Sequence, residues 1–154
     1  MNSNGSFKKR IASGYDPMWS KKDNLIYYAG YTSEIFAVDS SGTRLLKLTT
    51  SENSQTRPRP SPNGSTIIFQ SIPPYPAQSI TSIWSTNPDG SNQYKISPDW
   101  SEGFSWRPDG KEIIFVKYNP NKAEEGNGQL WLMNPDGTNI RQFTHFDPQT
   151  LLNQ

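Results

Sequence analysis

The chain has 154 residues, a formal net charge of +1 and no cysteine, which excludes disulfides and thiolate metal sites and leaves no global attraction to nucleic acid. Its 13 prolines and 11 glycines, with 12% aromatic residues, favour short strands and tight turns over long helices. No run approaches the roughly 18 apolar residues that cross a bilayer, so we expect no membrane insertion.

The first segment, residues 1–13, reads MNSNGSFKKRIAS and aligns with MNPDGTNIRQFTH near the end of the chain. It predicts an orphan N-terminal strand that would be the outer strand of a preceding structural unit. Residues 1–20 also lack the apolar core of a signal peptide. We therefore expect a soluble chain, cytoplasmic as given and periplasmic if a leader has been removed.

The chain then repeats one pattern in residues 14–50, 51–97 and 98–145. The copies read WSKKDNLIYYAG with EIFAVDSSGTRLLKLT, PSPNGSTIIFQS with SIWSTNPDGSNQYKIS, and WRPDGKEIIFVK with QLWLMNPDGTNIRQFT. Equivalent turn glycines, Gly42, Gly90 and Gly137, are 48 and then 47 residues apart. A period of about 40–50 residues with four short strands is typical of β-propeller blades.

Each copy predicts four strands because Asp-Gly and Asn-Gly turns, which tolerate φ > 0, separate its apolar runs. The first strands are predicted at Pro17–Ser20, Arg57–Pro60 and Gly103–Trp106, and the fourth strands at Arg44–Thr49, Gln93–Ser97 and Asn139–Thr144. Trp19 and Trp106 hold equivalent positions, with Pro60 between them, and are interpreted as packing between blades.

The expected fold is all-β: three four-stranded antiparallel propeller blades plus the orphan strand, with residues 146–154 as a tail that leaves the repeat. An open arc exposes two apolar sheet faces, whereas propellers close with about four to eight blades. We therefore expect a partial propeller, either a piece of a larger ring or half of an oligomeric one. A homodimer would supply six blades around a two-fold axis.

Sequence patterns for catalysis are absent. Gly103-Phe104-Ser105-Trp106 is the segment nearest to a hydrolase G-x-S-x-G turn, and it lacks the closing glycine. The single histidine, His145, follows the last strand, where a loop histidine is ordinary. We therefore predict that the chain is not an enzyme by itself and has no catalytic residue, no metal site and no cofactor.

Loops between second and third strands share one face of a propeller with the connections between blades. On that face Ser71–Thr81 and Tyr118–Gln129 are long, and loops on a rigid scaffold are the usual place of function. Tyr, Trp and Arg anchor many protein interfaces. The binding residues predicted on this long-loop face, for a protein or peptide partner, are Tyr15, Arg57, Arg59, Tyr75, Trp100, Tyr118 and His145.

Residues 2–148 resemble the WD-repeat-like blades of the TolB-type β-propeller family, most closely in WRPDGKEIIF, LWLMNPDGTNIRQFT and IFAVDSSGTRLLKLT. The resemblance implies a non-catalytic scaffold that recognises proteins. The same blade type also precedes the hydrolase domains of tricorn-like and prolyl-oligopeptidase-like peptidases, so a substrate-gating propeller fragment is an alternative. A carbohydrate-binding propeller is a further alternative, because aromatic residues at a channel mouth can stack on sugars.

Overall fold

The computed structural model describes residues 6, 8–121 and 128–144, and these residues form twelve β-strands and no helix. Accordingly, this part of the chain has no helix long and apolar enough to span a membrane. The strands form three antiparallel sheets, each with its four strands in chain order, which confirms the predicted three-blade fold. The strands are β1 Tyr15–Trp19, β2 Leu25–Ala29, β3 Ile35–Asp39, β4 Leu45–Lys47, β5 Ser54–Pro60, β6 Ile67–Ile72, β7 Ser82–Thr86, β8 Tyr94–Lys95, β9 Ser101–Trp106, β10 Ile113–Lys117, β11 Gln129–Met133 and β12 Arg141–Gln142.

The first strand of each blade is interrupted by a bulge at the same repeat position. Asp16, Arg57 and Gly103 occupy this position with φ of 51°, 53° and 56°, and the pairing with the second strand shifts register there. The first strands therefore begin two or three residues before the predicted starts, because pairing resumes on the far side of the bulge. The sequence before each bulge has no alternation of apolar and polar residues that would predict this additional strand pairing.

The fourth strands are shorter than predicted, since a side chain replaces part of the backbone ladder. The hydroxyl oxygens of Thr49, Ser97 and Thr144 accept the N–H groups of Ile35, Ile83 and Leu130 at 2.9, 2.8 and 2.9 Å. Each hydroxyl thus satisfies a donor on the third strand, just beyond the two or three residues that pair as a strand. This role accounts for the Thr or Ser that ends every copy.

Two apolar cores lie between the blades. Ile67 and Phe69 of β6 pack against blade one, whereas Ile68 of the same strand packs against blade three. These three side chains are at most 1% exposed, so β6 is buried on both faces. That double burial explains why apolar residues run together in β6 instead of alternating with polar ones.

The turn between third and fourth strands contacts the preceding blade through its glycine. A methyl group on Gly90 would overlap the carbonyl oxygen of Leu48, and one on Gly137 would lie 2.5 Å from that of Ile96. Gly42 makes the equivalent approach to the backbone of Ile11. Residues 6 and 8–13 form no strand, in contrast to the predicted orphan strand, because no described strand offers them a ladder partner.

Among the residues that the structure describes, no fourth sheet lies against the outer face of blade one or of blade three. Trp106 follows the predicted packing: its indole Nε1 donates to the carbonyl oxygen of Arg59 across the blade junction at 2.9 Å. Trp19 holds the same position in blade one, yet it is 53% exposed and donates only to Asn24, at 3.3 Å. The difference arises because, among the described residues, no further sheet lies against blade one on the side of Trp19. Closure of a ring by two chains stays a prediction.

Stability is expected to fall below about pH 4, because hydrogen bonds from Ser41, Ser91 and Thr138 hold the pKa of Asp39, Asp89 and Asp136 below the ordinary 3.8. A carboxyl whose pKa is lower in the folded chain stabilises it above the unfolded pKa, and this contribution disappears as pH falls through the folded pKa. Urea unfolding between pH 7 and pH 2 measures the loss. A variant with asparagine at all three positions should lose less stability over this range, and an equal loss would contradict the assignment.

Candidate functional site

The first strands of the three blades meet along a channel, and each end of this channel carries a cleft. The cleft at the long-loop end, here called the mouth cleft, has a volume of about 300 Å³. Equivalent residue pairs of the first strands contribute to it, namely Tyr15 with Asp16 and Thr56 with Arg57, while the third pair contributes Glu102. The remaining lining residues are Gln70, Ile72, Gln78 and Thr81.

Among the described residues that line the mouth cleft, Arg57 is the one cation. Its guanidinium Nη1 donates to Oε1 of Gln70 at 3.0 Å, and Gln70 is itself 2% exposed. No carboxylate in the described residues lies within ion-pair distance of Arg57, although Asp16 and Glu102 line the same cleft. The buried side-chain amide of Gln70 thus fixes the position of the Arg57 guanidinium, whose remaining N–H donors are available to a ligand.

The bulges direct residues into this cleft at a cost in backbone strain. Asp16 and Arg57 have positive φ, a region that costs a non-glycine residue about 1–2 kcal/mol. Strained backbone of this kind is concentrated at functional sites, where the surrounding structure maintains it. Two strained, oppositely charged residues at equivalent positions therefore indicate a binding site.

Tyr118 joins the rim of the mouth cleft through Glu102. Its interaction with the Glu102 carboxylate, together with partial burial, raises the pKa of Tyr118. On the opposite rim, the rings of Tyr15 and Tyr31 lie 6.0 Å apart, and Tyr31 is 77% exposed. Aromatic side chains thus flank a cleft whose floor is polar.

Arg59 does not join Arg57 in the mouth cleft. It lies two residues further along β5 and lines a second cleft of about 360 Å³ at the opposite end of the channel, here called the turn-face cleft. Partial burial and, secondarily, Arg57 lower the pKa of Arg59, whereas Asp16 raises it. The remaining lining residues are Met18, Trp19, Lys21, Pro60, Ser61, Pro62, Ser105, Trp106 and Pro108.

Two further predicted binding residues, Tyr75 and Trp100, line neither cleft. Tyr75 is 85% exposed in the loop after β6 and precedes a cis peptide bond to Pro76. Trp100 is half-buried with φ of 64°, and its carbonyl oxygen accepts the Tyr118 N–H at 2.9 Å. His145 is outside the described residues.

Asp16, Gln70 and Glu102 line the mouth cleft and were not predicted from the sequence. Aligning the three copies offers a signal for two of them, because the paired positions read Tyr-Asp, Thr-Arg and Glu-Gly and so bring charged residues of both signs to one place in the repeat. Gln70 carries no such signal, since a glutamine in a strand otherwise reads as a solvent-facing residue. The described residues contain no group of three or more His, Cys, Asp or Glu side chains that could hold a metal ion.

This architecture defines a β-propeller class of protein, built here from three blades around part of a channel. Within that class the fold is TolB-like. The chain superposes on TolB of Agrobacterium tumefaciens with a TM-score of 0.68 and 22% identity, covering 86% of this chain and 50% of that one. TolB of Acinetobacter baumannii gives a TM-score of 0.68 at 19% identity, with 93% and 36% covered.

An enzyme has the same fold. The oligogalacturonate lyase of Vibrio parahaemolyticus superposes with a TM-score of 0.69 at 14% identity, covering 89% of this chain and 43% of that one. No protein-family model and no curated protein matches the sequence. The chain spans half or less of the length of these three structures, and identities this low show the fold alone.

Proposed function

We propose that the chain is a non-catalytic propeller scaffold that binds an extended segment of a protein or peptide at the mouth cleft. The observation that carries this proposal is the position of Arg57, which a buried glutamine holds in a cleft that also contains Asp16 and Glu102. A guanidinium between carboxylates suits a polar backbone segment with side chains of both charges, since every group can then be paired.

The rigidity of the surrounding blades supports this proposal. Each of the lining pairs belongs to a strand that pairs with the second strand of its blade on both sides of the bulge, and Thr56 and Gln70 are buried. A preorganised site loses little conformational entropy when a ligand binds, which favours affinity from a small number of polar contacts. The exposed Tyr31 and the half-buried Tyr118 supply apolar area at its rim.

The proposal is tested by selecting peptides from a random phage-displayed library on the intact chain and measuring their affinity for variants. Arg57→Gln and Glu102→Gln should each weaken binding about tenfold to a hundredfold, because a charge-assisted hydrogen bond contributes about 1.5–3 kcal/mol. Glu102→Gln keeps the size of the side chain, whereas Arg57→Gln shortens it but retains N–H donors, and neither substitution introduces a new charge into the cleft.

Arg107→Gln is the matched control. Arg107 is exposed, pairs with Glu112 at 2.8 Å and follows β9 at the opposite end of the channel. Peptides selected on the native chain should bind this variant with unchanged affinity. Selection of no peptide, or of peptides that bind all three variants equally, would contradict the mouth cleft as the binding site.

A further inference from the structure

The turn-face cleft is built from the same three repeat positions of every blade. Its innermost positions are Met18, Arg59 and Ser105, and the next positions along each strand are Trp19, Pro60 and Trp106. The turns after these strands add Lys21, Pro62 and Pro108. The cleft lies at the other end of the channel from the mouth cleft, so what it binds is independent of the function proposed above.

Its walls are largely apolar and include two indoles, those of Trp19 and Trp106. Trp106 is half-buried and tied to the backbone of Arg59, whereas Trp19 is 53% exposed on the opposite side of the cleft. Three prolines stiffen the remaining wall, since each has a fixed φ. An exposed indole beside rigid apolar walls offers a large contact area at a small entropic cost.

The charged groups of the cleft are all cations. Of the described residues that line it, Arg59 and Lys21 are charged, and none is acidic. The guanidinium of Arg59 donates from Nη1 to the carbonyl oxygen of Pro58 at 2.9 Å, and no carboxylate in the described residues lies within ion-pair distance of it. Because a guanidinium has five N–H donors in a planar fork, the remaining donors suit a carboxylate.

From these features we infer that the turn-face cleft binds a carboxylate attached to a bulky apolar group, with Arg59 pairing the carboxylate and Trp19 and Trp106 contacting the apolar group. A free aromatic acid and a peptide C-terminus that ends in an apolar residue share this chemistry. A neutral analogue of the same shape loses the ionic hydrogen bonds to Arg59, so the cleft discriminates by charge as well as by size.

The five tryptophans make the test specific. In a ¹⁵N-labelled chain each indole N–H gives a separate signal, and Trp84, Trp100 and Trp131 do not line the cleft. N-acetylphenylalanine should shift the signals of Trp19 and Trp106 in a saturable titration and leave the other three nearly unchanged. N-acetylphenylalaninamide, which lacks the charge, should bind at least tenfold more weakly.

Substitutions distinguish the effect of the Arg59 charge on binding from an effect on folding. Arg59→Met should weaken binding of N-acetylphenylalanine at least tenfold, Arg59→Lys less, and Arg57→Met at the other end of the channel not at all. Trp19→Ala removes an exposed side chain, so it should weaken binding several-fold without altering the remaining indole signals. It therefore keeps the test valid if Arg59→Met does not fold.

The peptide Gly-Gly-Gly-Phe distinguishes the two kinds of ligand, a free aromatic acid and a peptide C-terminus. Affinity equal to or above that of N-acetylphenylalanine identifies a chain terminus, and markedly lower affinity identifies a small acid; both agree with the inference. Equal binding of the acid and its amide would overturn it, as would shifts spread over all five indoles. Loss of binding in Arg57→Met but not in Arg59→Met or Trp19→Ala would also overturn it.

Discussion

Gly90→Ala is expected to lower the free energy of unfolding by about 3–5 kcal/mol, among the largest losses for a single substitution. Gly90 has φ of 85°, where a side chain costs about 1–2 kcal/mol. The added methyl group would also overlap the carbonyl oxygen of Leu48 in the preceding blade, and neither backbone can withdraw without disturbing its sheet. For a chain of this length the midpoint of thermal unfolding should fall by roughly 2–4 °C per kcal/mol.

Gly110→Ala is the matched control, because it shares the backbone conformation without the overlap. Gly110 has φ of 72°, but a methyl group there would lie 3.5 Å from the nearest atom, Cδ of Pro62, an ordinary contact. The expected loss is only the conformational cost of about 1–2 kcal/mol. Urea unfolding followed by tryptophan fluorescence measures both variants. Equal losses would show that the contact between blades does not limit the residue at position 90.

Phe69→Ala should cost about 3–5 kcal/mol, the range for removing a buried aromatic ring. Phe69 is completely buried in the core between blades one and two, where it packs with Tyr27 and Ile35 of the neighbouring blade. Truncation removes the packing of the ring and leaves a cavity between two sheets. Because each blade contacts only its neighbours along the chain, this junction has no other core to compensate for the loss.

Leu45→Ala is the control for Phe69→Ala. Leu45 lies in the outer strand of blade one and is 59% exposed, so its truncation should change stability by no more than about 0.5 kcal/mol. Both variants can be compared by urea unfolding under the conditions used for the glycine pair. A loss for Phe69→Ala no larger than that for Leu45→Ala would mean that the blades do not depend on the core between them.

The blades could be predicted from the sequence because local signals agreed along the chain. Turn glycines, apolar strand centres and the terminal Thr or Ser recur at one period, and each has a local physical reason. The bulges could not be predicted in the same way. Asp16 and Arg57 adopt a positive φ, which arginine usually avoids and aspartate tolerates better, and the pairing with the second strand on both sides of the bulge maintains it.

The candidate site was predictable only in part for the same reason. Tyr15 and Arg57 lie in the mouth cleft, but Arg59 lines the cleft at the opposite end, because β5 carries it along the channel. The exposure of Trp19 was equally hidden, since its repeat position favours burial, yet no further sheet of the described residues lies against it. The position of a residue within the repeat determines its local structure, whereas its exposure also depends on which blades lie beside its own.

The close approach of each turn glycine to the preceding blade also controls curvature. On the outer side of each sheet, Gly90 and Gly137 let two backbones touch with no side chain between them. Nearer the channel, whole side chains such as the indole of Trp106 separate the blades. The glycines thus keep neighbouring blades close together at their outer edges, so that the angle between successive blades stays small. Larger residues there would widen that angle and reduce the number of blades needed to complete a circle.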